Sequence, residues 1–205
     1  MILYSFRRCP YAMRARLALY EAMPSASLEL REVVLKDKPS AMLDISPKAT
    51  VPVLFLNHAA HSRDQVVEES LDIILWALEQ NSLLKKSWLP VALQEEIMFL
   101  ISENDGDFKW ALDHYKYADR FEESEAFYRK KAHGFLSGLE ARLQQQPFLM
   151  GQNITLADVA LFPFVRQFAH VDKDWFFASE YTQLQKWLNI WLESKAFKSI
   201  MTKYP

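Results

Sequence analysis

Among the 205 residues, Cys9 is the only cysteine, and its neighbours would make it a nucleophile. It lies in Ser5-Phe6-Arg7-Arg8-Cys9-Pro10-Tyr11-Ala12-Met13-Arg14. Proline is favoured at the first helical position, because its missing N–H would be unpaired there anyway. Cys9 is therefore expected just before the first turn of a helix. Its sulfur would face unpaired backbone N–H groups and the positive end of the helix dipole. Those donors favour thiolate over thiol, and Arg7 and Arg8 add to the effect if they turn inward. The competing reading is a small buried hydrophobe, the usual role of an isolated cysteine. The order strand, Cys-Pro, helix start favours a reactive thiol. Position 12 is Ala, so there is no Cys-x-x-Cys pair. With one cysteine there is no intramolecular disulfide and no Cys-rich zinc site. Redox chemistry at Cys9 needs a second thiol from outside the protein.

Other residue types point to less. His58, His61, His114, His133 and His170 have no zinc-ligand spacing with a carboxylate or cysteine, and His58 and His61 fall in a polar loop. The chain has four glycines, with no Gly-rich phosphate loop and no Gly-x-Ser-x-Gly elbow. The stretch Lys109-Trp110-Ala111-Leu112-Asp113-His114-Tyr115-Lys116-Tyr117 mixes aromatic and charged residues at helical spacing. Its plain reading is a helix with one packed and one solvated face. The sharper reading has Trp110, His114 and Tyr117 lining a pocket.

The elements that must position these residues follow from apolar spacing. Residues 1–6 read as a buried strand, and residues 10–22 as a helix with Met13, Leu17 and Tyr20 on one face. Pro24-Ser25-Ala26-Ser27 ends it. Residues 28–35 alternate as a second strand. A strand–helix–strand unit of this length implies two parallel neighbours with a right-handed crossover. Residues 36–39 are a polar loop and 41–45 a short helix. Residues 50–56 form the next apolar run; Pro52 cannot donate to a ladder, so it belongs at the strand's first residue or in a special turn. The loop 57–62 leads to a strand at 64–67 that pairs back antiparallel. Glu68-Glu69-Ser70 opens a helix with Leu71, Ile74, Leu75 and Leu78 as its apolar positions; acidic residues there complement the dipole.

A linker is expected over residues 81–90, after which strand signals stop. Residues 91–118, 124–146, 155–170 and 181–194 read as helices, with a kink at Gly106 and a bend at Pro163. Thr155-Leu156-Ala157-Asp158 carries the pattern of a capping box, with Ile154 and Val159 as its staple. Strands with helices followed by helices alone argue for two domains, here 1–80 and 91–205. Half the residues are hydrophobic and 24% are charged, a globular composition. The net charge of −2 gives no general attraction to nucleic acid. No apolar run is long enough to span a bilayer and none resembles a signal peptide, so a cytoplasmic protein is the expectation.

Taken together, Cys9-Pro10-Tyr11-Ala12-Met13-Arg14, Thr50-Val51-Pro52-Val53-Leu54, Glu69-Ser70 and Thr155-Leu156-Ala157-Asp158 resemble a family over essentially the whole chain. The chain is similar to the cytosolic glutathione transferases, and more narrowly to their cysteine-type, omega-like and glutaredoxin-like branch. The resemblance implies an α+β thioredoxin-like N-terminal domain with a mixed four-stranded sheet, binding glutathione along its edge. It implies an all-α C-terminal domain contributing to the second-substrate pocket, where Trp110, His114 and Tyr117 are the candidates. It also implies a homodimer. Glutathione is the cosubstrate, and no metal is implied. By that resemblance Cys9 faces glutathione sulfur, flanked by Tyr11. Val51 pairs its backbone with the cysteinyl part, and Pro52 is the cis proline that holds the edge open. Glu69 and Ser70 hold the γ-glutamyl amine and carboxylate. Lys38 faces the glycyl carboxylate, with Lys36 a close competitor. A tripeptide with two carboxylates and one ammonium needs such a cation, anion and hydroxyl spread along a groove.

Three functions compete. The first is a thiol transferase or reductase in which Cys9 forms a mixed disulfide with glutathione, its partner substrate being a small or protein disulfide. The second conjugates glutathione to a small electrophile, using Tyr4, Ser5 or Tyr11 to hold the glutathione thiolate. The third is a non-catalytic ligand-binding or regulatory protein; Cys9, Glu69 and Ser70 together argue against it.

Overall fold

The computed structural model describes residues 1–23, 28–57 and 64–203. The helix break expected at residues 24–27, and the expected loop with His58 and His61, lie outside the described residues. By its internal contacts the chain divides into two units. One holds Met1–Leu84 with the described residues from Lys195 on, the other Lys85–Ser194.

The first unit is built on four strands, β1 (Ile2–Ser5), β2 (Glu29–Glu32), β3 (Val53–Leu56) and β4 (Gln65–Val67), in the order β2-β1-β3-β4. β1 and β2 are parallel, Ile2 opposite Glu29. β3 runs antiparallel to β1, with Tyr4 opposite Val53, and β4 antiparallel to β3, with Leu54 opposite Val67. Side chains alternate across a strand, so each face has its own core. Leu3, Leu54, Leu56 and Val67 pack with Ala15, Leu19, Ile73 and Ala77 from helices α1 (Pro10–Ala22) and α3 (Ser70–Glu79). Tyr4, Val33 and Val53 pack with Met42 of α2 (Ser40–Ile45) on the other face. This is the thioredoxin-like layering with a mixed four-stranded sheet. α3 buries Ser70, Ile73, Ile74, Ala77 and Leu78, so its inward stripe sits slightly off the expected Leu71 and Leu75.

The span expected to be a linker at residues 81–90 is instead largely helical, α4 (Ser82–Trp88). Its first turn is capped by the Asn81 side chain, which accepts from the Leu84 N–H at 3.1 Å. The second unit is all helical. α5 (Gln94–Glu103) runs through a π-turn (Asn104–Phe108) into α6 (Lys109–Lys116), and Gly106 there leaves helical geometry at φ −94°, ψ −106°. The span 124–146 is two helices rather than one, α7 (Glu125–Lys131) and α8 (His133–Gln145), parted at Ala132. α9 (Leu156–Ala169) is almost wholly buried and continues through Pro163. α10 (Lys173–Ala178) and α11 (Thr182–Glu193) complete the unit. The last helix, α12 (Lys195–Ile200), groups with α1 in the first unit, so residues after 194 do not continue the helical one as the expected 91–205 domain has them. Among the described residues, no helix is long and apolar enough to cross a membrane.

Candidate functional site

Strand direction gathers the sequence-predicted residues at one end of the sheet. The parallel pairing puts the C-terminal ends of β1 and β2 side by side. The antiparallel pairings bring the start of β3 and the end of β4 to that same end. The segments leaving or entering there carry Lys36 and Lys38 after β2, Cys9 after β1, Val51-Pro52 before β3, and Glu68-Glu69-Ser70 after β4. The strand order therefore lays out, from one edge to the other, cations, a thiol, the Val51-Pro52 backbone, and carboxylates with a hydroxyl.

Cys9 is the N-cap residue of α1, extended at φ −79°, ψ 124°, with Pro10 beginning the helix. Its side chain makes no capping bond and is half-buried. The thiol lies 3.8 Å from the Val51 carbonyl oxygen, to which it can donate. The loop that carries it is fixed from two sides. The Cys9 N–H donates to the Phe6 carbonyl at 2.9 Å, closing a tight turn. The Glu32 carboxylate at the end of β2 accepts from the Arg7 N–H at 2.6 Å and from buried Arg16 of α1 at 3.2 Å. Glu32 thus ties β2, the loop and α1 together; it was not singled out in the sequence. The two arginines before Cys9 are otherwise engaged. The Arg7 guanidinium donates to the Met201 carbonyl at 3.1 Å, and exposed Arg8 lies over the Phe6 ring.

The Val51–Pro52 peptide is cis, and Pro52 immediately precedes β3. Lys36 and Lys38 differ in setting. Lys36 is exposed at the tip of a two-residue turn closed by the Val34–Asp37 bridge, while Lys38 is half-buried where the chain descends into Pro39.

At the start of α3, Glu69 is the exposed N-cap residue, and its carboxylate does not cap the helix. It pairs instead with the exposed ammonium of Lys48. Ser70 is 3% exposed, and its hydroxyl oxygen accepts from Nε of the buried Arg14 at 3.0 Å. A hydroxyl oxygen that accepts from Arg14 keeps its own proton to donate elsewhere. The Arg14 guanidinium also lies over the Tyr11 ring, 5.0 Å from its centre. Beside Glu69 opens a concavity of about 390 Å³, bounded by Val67, Glu68, Asp72 and Trp76. That is the volume of a small-ligand site.

Tyr4 and Ser5, the other candidate donors, are buried. Tyr4 is 2% exposed with its hydroxyl accepting from Arg31 at 2.9 Å, and Ser5 is fully buried. In the helical unit, the His114 ring stacks between Trp110 and Phe121, at 4.0 and 3.9 Å, and its Nδ1 lies 2.8 Å from the Trp110 carbonyl. Tyr117 does not join that group; the cations of Lys116 and Arg120 cover its ring. Among the described residues, no group of three or more His, Cys, Asp or Glu side chains could hold a metal ion.

Comparison with known proteins bears on this arrangement. Residues 3–85 match the glutathione S-transferase N-terminal domain and residues 94–189 the glutathione S-transferase C-terminal domain. BphK, a bacterial GST solved as a ternary complex, is 20% identical with a TM-score of 0.81, covering 98% of this chain and 98% of its own. A glutathione transferase from Pseudomonas putida, solved with one glutathione disulfide bound per subunit, is 16% identical with a TM-score of 0.82, over 100% and 91% of the two chains. Glutathione transferase Omega 2C from Trametes versicolor is 19% identical with a TM-score of 0.75, over 97% and 92%. The solved structures share the fold, the two domain matches together span most of the chain, and this protein belongs to the glutathione S-transferase family.

Proposed function

We propose that this protein is a glutathione-dependent thiol transferase in which Cys9 alone carries the disulfide chemistry. The observation that carries this reading is the position of Cys9, half-buried at the N-cap of α1 beside the backbone of Val51, at the end of the sheet where groups complementary to glutathione converge. Glutathione would lie across that end. Its glycyl carboxylate points toward Lys38, its peptide pairs with Val51 next to Pro52, and its γ-glutamyl end meets Glu69 and Ser70. Tyr11 flanks the thiol. A glutathione disulfide is bound by the Pseudomonas putida relative, and the same ligand class suits this groove.

In the cycle, the Cys9 thiolate attacks the glutathione sulfur of a mixed disulfide. A Cys9–glutathione disulfide forms, the original S–S bond breaks, and the other thiol leaves as a thiolate that takes a proton from water. A second glutathione thiolate then attacks the glutathione sulfur held on Cys9. Oxidised glutathione leaves and the Cys9 thiolate is restored. The chain has no second cysteine to resolve the intermediate, so the external thiol is required. Conjugation to an electrophile would need a hydroxyl to hold the glutathione thiolate; of the candidates, Tyr4 and Ser5 are buried and Tyr11 is half-buried. The protein is taken to act in the cytoplasm as a homodimer, which light scattering tests.

Intact mass after exposure to oxidised glutathione tests the proposal. The wild type should gain one glutathionyl group, removed by added glutathione, and Cys9→Ala should gain none and lose thiol-transfer activity. Absence of an adduct on the wild type, or full thiol-transfer activity in Cys9→Ala, overturns it. Conjugation of a chlorinated aromatic that survives Cys9→Ala would make conjugation the main reaction instead.

A further inference from the structure

Lys48 has no role in the assignments above, yet the backbone is arranged to deliver it to the γ-glutamyl end of the groove. It lies in a turn over residues 46–49 that leaves α2. Ser46 is fully buried, and its hydroxyl donates to Glu68 Oε1 at 2.5 Å, which fastens the turn to the segment that opens α3. The Ala49 N–H returns to the Ser46 carbonyl at 3.0 Å. Ala49 adopts φ 56°, a left-handed conformation that costs a non-glycine residue about 1–2 kcal/mol. Backbone held in such a conformation is often placed for function. What this turn places is the Lys48 ammonium, paired with the carboxylate of Glu69.

We infer that Lys48 is a specificity residue for the γ-glutamyl zwitterion, an inference that rests on the glutathione groove proposed above. The pair Lys48–Glu69 presents one cation and one anion side by side, and the next residue, Ser70, has its hydroxyl oxygen held by Arg14. An α-amino acid end group presents the complement, an ammonium and a carboxylate on one carbon. On binding, the ligand ammonium replaces the Lys48 ammonium on Glu69. Lys48 moves to the adjacent α-carboxylate, which also accepts from Ser70. Charges are conserved in this exchange: one ion pair becomes two. Arg14 acts from behind as a positioning residue, since its Nε holds the Ser70 oxygen as an acceptor. The groove thereby selects a γ-glutamyl peptide over one that lacks the α-carboxylate.

A double-mutant cycle between protein and ligand tests this. The full chain, wild type and Lys48→Ala, is titrated calorimetrically with S-methylglutathione and with the analogue in which 4-aminobutyrate replaces the γ-glutamyl residue, so that only the α-carboxylate is missing. The methyl group keeps Cys9 chemistry out of the measurement. Loss of the carboxylate should weaken binding to the wild type more than to Lys48→Ala by a factor of about 3 to 5, the upper part of the range for exposed charge pairs. Lys48→Arg should restore that ratio, and raised salt should shrink it. A ratio below about 1.7-fold, within additivity scatter, means Lys48 only decorates Glu69 and overturns the inference. If the wild type binds S-methylglutathione and the ratio is near one, this inference falls and the groove stands. If the wild type does not bind S-methylglutathione, the groove itself is wrong and the inference falls with it.

Discussion

Asp158 is a single side chain on which three segments of the helical unit depend. It is fully buried. One carboxylate oxygen accepts from the Leu149 N–H at 2.9 Å and from the Trp187 indole N–H of α11 at 2.9 Å. The other accepts from the Thr155 N–H at 2.9 Å and the Thr155 hydroxyl at 3.0 Å, completing the capping box of α9. Burial holds its carboxyl above the ordinary range, and the four donors offset that only in part. Asp158→Ala removes the acceptor from all four. The Thr155 hydroxyl can rotate to another partner, which leaves three buried N–H donors. Each unsatisfied buried donor costs about 1–3 kcal/mol. A water admitted to the vacated space can serve two or three of them. The expected loss is therefore in the lower half of the sum, about 3–5 kcal/mol, a large fraction of a typical stability of about 5–15 kcal/mol. Asp158→Asn keeps the oxygen shared by Leu149 and Trp187 but turns an amide N–H toward the Thr155 N–H. It should cost about 1–3 kcal/mol, one donor's worth. Urea unfolding followed by far-ultraviolet ellipticity gives both values from the midpoint shift at constant slope. A loss below about 1 kcal/mol for Asp158→Ala, or Asn costing more than Ala, would refute the accounting.

Two other substitutions follow from single contacts. The buried Glu140 of α8 reaches across to the first turn of α11, where its carboxylate accepts from the Gln183 N–H at 3.0 Å and the Leu184 N–H at 2.8 Å. Glu140→Ala strips a helix N-terminus of a charged cap supplied from another helix, and urea unfolding should show a loss of about 2–3 kcal/mol. Ala49→Gly should raise stability by about 0.5–1 kcal/mol in the same assay, because glycine removes the left-handed penalty and returns only part of it as lost chain entropy.

The framework of the first unit was legible because its signals are local. Pro10 after Cys9 fixes where α1 begins, and the apolar alternation of the strands fixes which residues face each core. The kink at Gly106 and the capping box at Thr155 were equally local. Side-chain partners distant in sequence were not legible. Arg7 and Arg8 look, in the chain, like charges for the thiol; in the fold one reaches a carbonyl 194 residues away and the other covers a ring. Glu32 and Lys48 carry no local signal in the chain and Arg14 only closes a motif, yet Glu32 and Arg14 fasten elements together and Lys48 meets Glu69. The span 81–90 misled because Pro90 and the polar residues suggest a linker, whereas Asn81 caps a helix through its side chain. α12 is too short for periodicity to reveal, and it is placed by packing on α1.

The fate of the two arginines changes how Cys9 should be understood. With Arg7 donating to a backbone carbonyl and Arg8 turned to solvent, the side-chain charges of the loop do not supply the electrostatics first expected of them. Cys9 itself stands at the N-cap of α1 and its sulfur lies against the Val51 carbonyl, a setting built from backbone rather than from long flexible side chains. The Glu32 bridge has the same character, fixing the loop through a backbone N–H and a buried arginine. On the function proposed above, a nucleophile positioned by backbone needs little from its neighbouring side chains, which leaves those for the ligand. The thiol lies between β1 and β3 at the middle of the sheet end, and the charged residues proposed to meet the tripeptide stand toward its outer edges, Lys38 past β2 and Glu69, paired with Lys48, past β4.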